Sequence, residues 1–183
     1  MPKIDRRAAR TRGALGEALV RLTQRQGYDG VRVGDVCRAA DVGRSTFYAH
    51  YADKDDLKRR AMGDHLRAVI VEATGDEGCP DPLGFALPLF RHARDHRELR
   101  RALGGTQGAT IATEVLSEVV RDHVRSVLRL GDGPDPDQTP PEASAVFVAG
   151  AWMALCTWWL DRGAVRSPEE MDVLFRRLAG IGV

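Results

Sequence analysis

A chain of 183 residues is long enough for one ordinary domain or two small ones, and a hydrophobic share of 43% suits a packed core rather than a disordered tail. The net charge of +1 hides a split, because residues 1–60 carry 14 Lys and Arg against 8 Asp and Glu, whereas the remainder carries 13 against 18. A basic head on an acidic body suits a partner rich in phosphate, while Cys37, Cys79 and Cys156, odd in number and far apart, fit a reducing cytoplasm and neither a disulfide framework nor a cysteine-based zinc site.

The start, MPKIDRRAARTR, is charged and leads into no signal-type apolar segment. The longest apolar run, residues 143–154, reads as too short and too rich in Ala to span a bilayer. A cytoplasmic protein with no membrane partner is expected. The periodicity is helical throughout, so the expected fold class is all-α. A first helix spans about residues 6–26, with Leu15, Ala18, Leu19 and Leu22 as its buried stripe and Gly27 as its end. Val33, Val36, Cys37 and Ala40 recur at i, i+3, i+4 and i+7 and predict a short second helix. Gly43 then offers a sharp turn through positive φ. Residues 44–51 form a third short helix with Phe47 and Tyr51 on its inner face. Arg44 and Tyr48 share another face, flanked by Ser45, Thr46 and His50, where a helix of this length meets the major groove of a duplex.

Asp53 is placed to cap a fourth helix over residues 53–72, with Asp55 and Asp56 in its first turn and Leu57, Ala61, His65 or Leu66, and Val69 inward. Lys54 is a cation in an unfavourable place there, which a phosphate-facing role explains. The breaker cluster 75–82 ends this helix, and the domain boundary is expected inside it, giving a helix-turn-helix domain over 1–60 and a second helical domain over 61–183.

Here the motif becomes specific. GRSTFYAHYADKDDL, preceded by Gly27-Tyr28-Asp29 and by Val33, Asp35 and Val36, resembles the recognition helix and next helix start of the TetR family of bacterial transcriptional repressors, over roughly residues 10–60. The resemblance implies that Arg44 and Thr46, beside Ser45, approach bases, that Tyr48, His50 and Lys54 grip phosphates, and that Phe47 and Tyr51 are core. Arg32 stands where the family usually has a Thr that caps the second helix, and an Arg there can reach phosphate. The resemblance also implies a homodimer on a palindromic operator, released by a small molecule.

Beyond the head, residues 82–103 predict one helix or a pair, with a kink or break at Pro88. Residues 104–108 read as a loop, 109–130 as a helix and 131–141 as a mobile loop. Residues 142–162 are apolar on nearly every side, so this helix should be buried from several directions. Residues 168–181 begin with a full start signal of Ser167, Pro168 and Glu170. These last two helices are expected to pair across a two-fold axis through Phe147, Ala151, Leu155, Trp158, Met171, Leu174, Phe175 and Leu178. Aromatic and aliphatic walls with few polar handles point to an apolar or amphipathic effector bound by Phe85, Leu89, Phe90, Gln107, Thr110, Ile111, Trp152 and Cys156.

No enzyme signature appears. The glycine loop at 104–108 has the wrong spacing for a phosphate cradle or a nucleophile elbow. His92 and His96 are i, i+4, but no third ligand stands at a convincing spacing, so both read as solvent-facing and neither a metal nor a cofactor is expected. The alternatives to a DNA-binding regulator are a helical protein- or RNA-interaction module, with Arg6, Arg7, Arg10 and Arg12 as a basic arm, or a small helical enzyme.

Overall fold

The structure, a computed structural model, describes residues 3–75, 81–103, 107–129 and 140–180, without the side chains of residues 3–6, 101–103 and 129. The expected loop over 131–139, the glycines at 104 and 105, Cys79, Ile181 and the Arg6 side chain lie outside this set. All regular structure among the described residues is helical, in the order α1 (Lys3–Gln26), α2 (Val33–Ala39), α3 (Arg44–His50), α4 (Lys54–Thr74), α5 (Ala86–Asp95), α6 (Arg97–Leu103), α7 (Gln107–Arg129), α8 (Pro141–Asp161) and α9 (Pro168–Leu178). The chain divides into two compact units, residues 1–64 with 98–115 and residues 65–97 with 116–183. The first segment of the first unit ends four residues beyond the expected boundary, and its second segment takes in nearly all of α6 and the start of α7.

In the first unit α1 buries Leu15, Ala18, Leu19 and the hydroxyl-bearing Thr23. Gly27, at φ 74°, closes it with its N–H on the Thr23 carbonyl at 3.0 Å. Arg32 caps α2 only in part. The Asp35 carboxylate accepts the Arg32 backbone N–H at 3.3 Å, but a guanidinium has no acceptor to return to the helix. The α2–α3 turn differs from expectation. Asp41, not Gly43, occupies the left-handed region, at φ 53°, while Gly43 is extended at φ −64° and begins α3. Asp tolerates that conformation because its side chain is short and polar, and Val42 N–H closes the end of α2 on the Cys37 carbonyl at 2.9 Å. Asp53 caps α4 as predicted, its carboxylate accepting the Asp56 N–H at 2.8 Å while Asp56 accepts the Ala52 N–H at 3.0 Å. Along α4, Leu57, Leu66 and Ile70 are buried, Ala61 and Val69 are half-buried, and His65 is exposed.

In the second unit, Pro88 lies in the first turn of α5, where its missing N–H costs nothing, and the break falls instead at His96 between α5 and α6. The aromatic core joins Phe85, Phe90, Trp152, Trp159 and Phe175, with ring centroids 5.0–6.4 Å apart. These geometries are edge-to-face or tilted, as ring quadrupoles favour. Trp159 places its indole N–H on the Arg166 carbonyl at 3.0 Å, and α9 opens with the reciprocal Ser167–Glu170 capping box. Arg176 binds Asp81 at 2.7 Å and Asp172 at 2.9 Å, tying α9 to the segment before α5.

α8 is not buried on every side. Ala145, Val148, Ala149, Trp152, Cys156 and Trp159 form one buried face, while Val146, Phe147 and Trp158 are exposed. The run 143–154 extends into a 21-residue helix that is long and apolar enough to cross a membrane by length and composition alone. Its inner face is packed against α5 and the aromatic core instead.

Candidate nucleic-acid interface

The two faces of α3 are chemically opposite. Phe47 is fully buried and Tyr51 nearly so, with their rings 5.7 Å apart, and they hold the helix to the head. Arg44, Ser45, Thr46 and Ala49 are exposed, Tyr48 is 53% exposed and His50 is half-buried. Among the described residues no hydrogen bond or ion pair engages the side chains of Arg44, Ser45 or Thr46. One turn of helix therefore presents a guanidinium fork and two hydroxyls outward from a fixed base. An arginine fork matches the two acceptors on the major-groove edge of guanine, and hydroxyls suit bases or phosphates. Tyr48 stands edge-on to Phe47 at 5.3 Å, which orients its phenol away from the core. Arg32 is exposed at the start of α2.

Lys54 has a structural employment that the sequence did not reveal. Its ammonium donates to the carbonyls of Tyr28 at 2.9 Å and Val31 at 3.0 Å, and it lies 4.3 Å from the centre of the Tyr28 ring. Tyr28 is buried and donates its hydroxyl to Asp55 at 2.5 Å, and burial together with that bond pushes its phenol far above the usual range. Lys58 approaches the same ring at 5.1 Å, and burial lowers its ammonium to about 8. The cation in the first turn of α4 is thus explained by the loop it pins, and the phosphate role is not needed to account for it.

The residues expected to bind an effector fall in both units. Phe85, Leu89, Phe90, Trp152 and Cys156 are buried in the second unit, whereas Gln107, Thr110 and Ile111 belong to the first. Gln107 and Thr110 are exposed and Ile111 is buried. Sequence reasoning missed His123, whose ring stands 5.7 Å from Phe85. A lone His in a charged helix carries no pattern that marks it as inward. Two buried polar atoms in this region, Trp152 Nε1 and His123 Nε2, have no hydrogen-bond partner among the described residues. An open apolar groove of about 400 Å³ lies elsewhere in the same unit, lined by Leu83, Val124, Leu128, Phe147 and Val148 among others, and none of the expected effector residues lines it.

The expected interface residues also divide. Met171 and Phe175 are buried at 0% and 1% exposure inside the second unit, so they are core and not available to a second subunit. That half of the α9 face packs against α5, with the Phe175 ring against Phe90. Phe147, Trp158 and Leu178 are exposed at 61%, 41% and 66%, and Ala151, Leu155 and Leu174 are half-buried. His92 and His96 do not stand alone in solvent. His92 is half-buried, their rings stack at 4.1 Å, and His65 of α4 lies against them.

Residues 16–61 match the family of bacterial regulatory proteins described as the tetR family, and residues 81–180 match a transcriptional regulator C-terminal region. A 73-residue segment is 45% identical to the HTH-type transcriptional regulator YxbF of Bacillus subtilis (strain 168), covering 39% of this chain and 19% of that relative's length. Among solved structures, a TetR transcriptional regulator from Streptococcus agalactiae 2603V shares 21% identity with a TM-score of 0.63 over 96% of both chains. RolR in complex with resorcinol shares 18% with a TM-score of 0.60 over 96% of this chain and 88% of its own. At such identities the likeness is one of fold. The exposed α3 face over its buried aromatic base and the two family matches lead to one conclusion: this chain belongs to the TetR family and is a transcriptional regulator, not an enzyme.

Proposed function

We propose that the protein is a cytoplasmic repressor that binds a palindromic operator as a homodimer and is released by a small apolar or amphipathic molecule. The observation that carries the DNA-binding part is the outward row of Arg44, Ser45, Thr46 and Tyr48 on a helix anchored from behind by Phe47 and Tyr51. In this reading Arg44 and Thr46 meet base edges, with Ser45 beside them, while Tyr48, His50 and Arg32 contact phosphates. Lys54 has one N–H beyond its two carbonyl bonds and adds at most one phosphate contact. Two-fold symmetry places two copies of α3 on matching half-sites.

The dimer reading rests on Phe147 and Trp158, large apolar side chains exposed on one helix, with Leu178 exposed on α9. The effector reading rests on the unpartnered Trp152 N–H and His123 Nε2 within an aromatic shell, since a buried polar atom without a partner costs about 1–3 kcal/mol that a ligand could recover. RolR, of the same fold, is seen in complex with resorcinol, a small aromatic carrying hydroxyls, and such a molecule has the chemistry to meet both atoms. The decisive experiment selects duplexes from a random pool and measures affinity against salt. A steep salt dependence with preference for one palindrome supports the reading, and equal affinity for all duplexes refutes it.

A further inference from the structure

We propose that His65, His92 and His96 form a binding site for one divalent transition-metal ion of the zinc class. Each offers a ring nitrogen, and the three nitrogens all lie within 4.8 Å of one another. The ring centroids are 4.1 Å apart for His92 and His96, 5.0 Å for His65 and His92, and 6.2 Å for His65 and His96. The pair on α5 and its C-cap comes from i, i+4 spacing, and the third ligand comes from α4, 27 residues earlier than His92.

Three imidazoles around a tetrahedral ion at ~2.0–2.1 Å stand about 3.3 Å from each other. The rings are therefore within about 1.5 Å of ligating geometry. The side chains that must move are those free to do so, because His65 and His96 are exposed while half-buried His92 serves as the fixed member. One ring is already oriented. His96 Nδ1 lies 3.0 Å from the His92 backbone carbonyl, and a carbonyl can only accept, so Nδ1 carries a proton and Nε2 is the nitrogen left to face a metal. Metal-bound histidines commonly hold their second nitrogen in this way. Three imidazole nitrogens with the outer side open to water suit Zn²⁺, Co²⁺, Ni²⁺ or Cu²⁺, and not the oxygen-seeking Mg²⁺ or Ca²⁺. Three protein ligands leave a fourth position for water or for a small ligand. A bound ion would join the later part of α4 to α5, and the earlier part of α4 belongs to the head. The site does not depend on the operator reading, since metal binding would stand even if the head preferred no palindrome.

The test uses the full chain without an affinity tag, stripped of metal. Titration with Co²⁺ should give visible d–d bands that saturate at one equivalent per chain and are bleached by Zn²⁺. His65→Gln, His92→Gln and His96→Gln should each weaken Zn²⁺ binding by about tenfold or more. Zn²⁺ should also raise the melting temperature of the parent and not that of the double variant H65Q/H96Q. Both residues of that variant are exposed, so its metal-free melting temperature should equal the parent's. Failure of Co²⁺ to bind at one equivalent overturns the proposal. So does a Co²⁺ spectrum and affinity unchanged in His65→Gln, which would place the ion elsewhere.

Discussion

Replacing Lys54 with Met separates two roles for one cation. Met keeps most of the stem's apolar contact and removes the ammonium. The Tyr28 and Val31 carbonyls then lose a charged donor at 2.9 and 3.0 Å, and the Tyr28 ring loses the cation 4.3 Å above it. Hydrogen bonds to charged groups contribute about 1.5–3 kcal/mol each in protected sites. These two are part-buried, and water can replace some of the loss, so about 1 kcal/mol each is the reasonable share. The cation–π contact adds about 0.5 kcal/mol at such exposure. The expected loss is about 2–3 kcal/mol, or a fall of roughly 5–10 °C in melting temperature for a chain of this size. Urea and thermal unfolding by circular dichroism measure it, with Arg38→Met as a surface control expected to stay within about 0.5 kcal/mol. A cation that served phosphate alone would instead leave stability untouched, weaken every duplex alike and lower the salt slope by about one. If Lys54→Met melts with the parent, the pinning of the 27–31 loop to α4 is wrong.

The remaining predictions address the interface, the body and its pH response. Arg44→Ala should reduce discrimination at one base pair of each half-site by about 1–3 kcal/mol while non-specific affinity changes little, as read by fluorescence anisotropy on single-base operator variants. Phe147→Asp with Trp158→Asp should shift the protein from dimer to monomer in light scattering without altering its helical content, because both side chains are already exposed within the protomer. A dimer that persists at the same concentration would place the interface elsewhere. His123 is held below its ordinary value of 6.5 chiefly by burial, against the pull of Asp81. A base whose folded pKa is depressed contributes stability above the unfolded value and loses it as the pH falls toward the folded one. Acidification from about pH 7 to pH 5 should therefore destabilise the parent more than His123→Gln, and equal slopes in the two would reject the assignment.

Much of the head was legible because its signals are local. Helical spacing fixes that Phe47 and Tyr51 share one face while Arg44 and Tyr48 lie on another, whatever the rest of the chain does. The Asp53 cap and the Ser167–Glu170 box likewise need only four consecutive residues each. The body was legible only as stripes. An apolar stripe says that a face is covered but not by what, so Met171 and Phe175 read as an interface although α5 covers them. The turn before α3 was misplaced by two residues because Gly43 is the more permissive residue, yet the Val42–Cys37 hydrogen bond puts Asp41 in the left-handed region.

By itself the sequence determined most of the helices, the Asp53 and Ser167–Glu170 caps, the outward chemistry of α3 and the family. Those are properties of neighbouring residues, and short-range spacing sets them. Only the tertiary structure decided that Lys54 serves the Tyr28 loop, that α8 buries one face and exposes Phe147 and Trp158, and that His65 meets His92 and His96. Each of these depends on which side chains packing brings together from distant parts of the chain, and no periodicity within one helix encodes that.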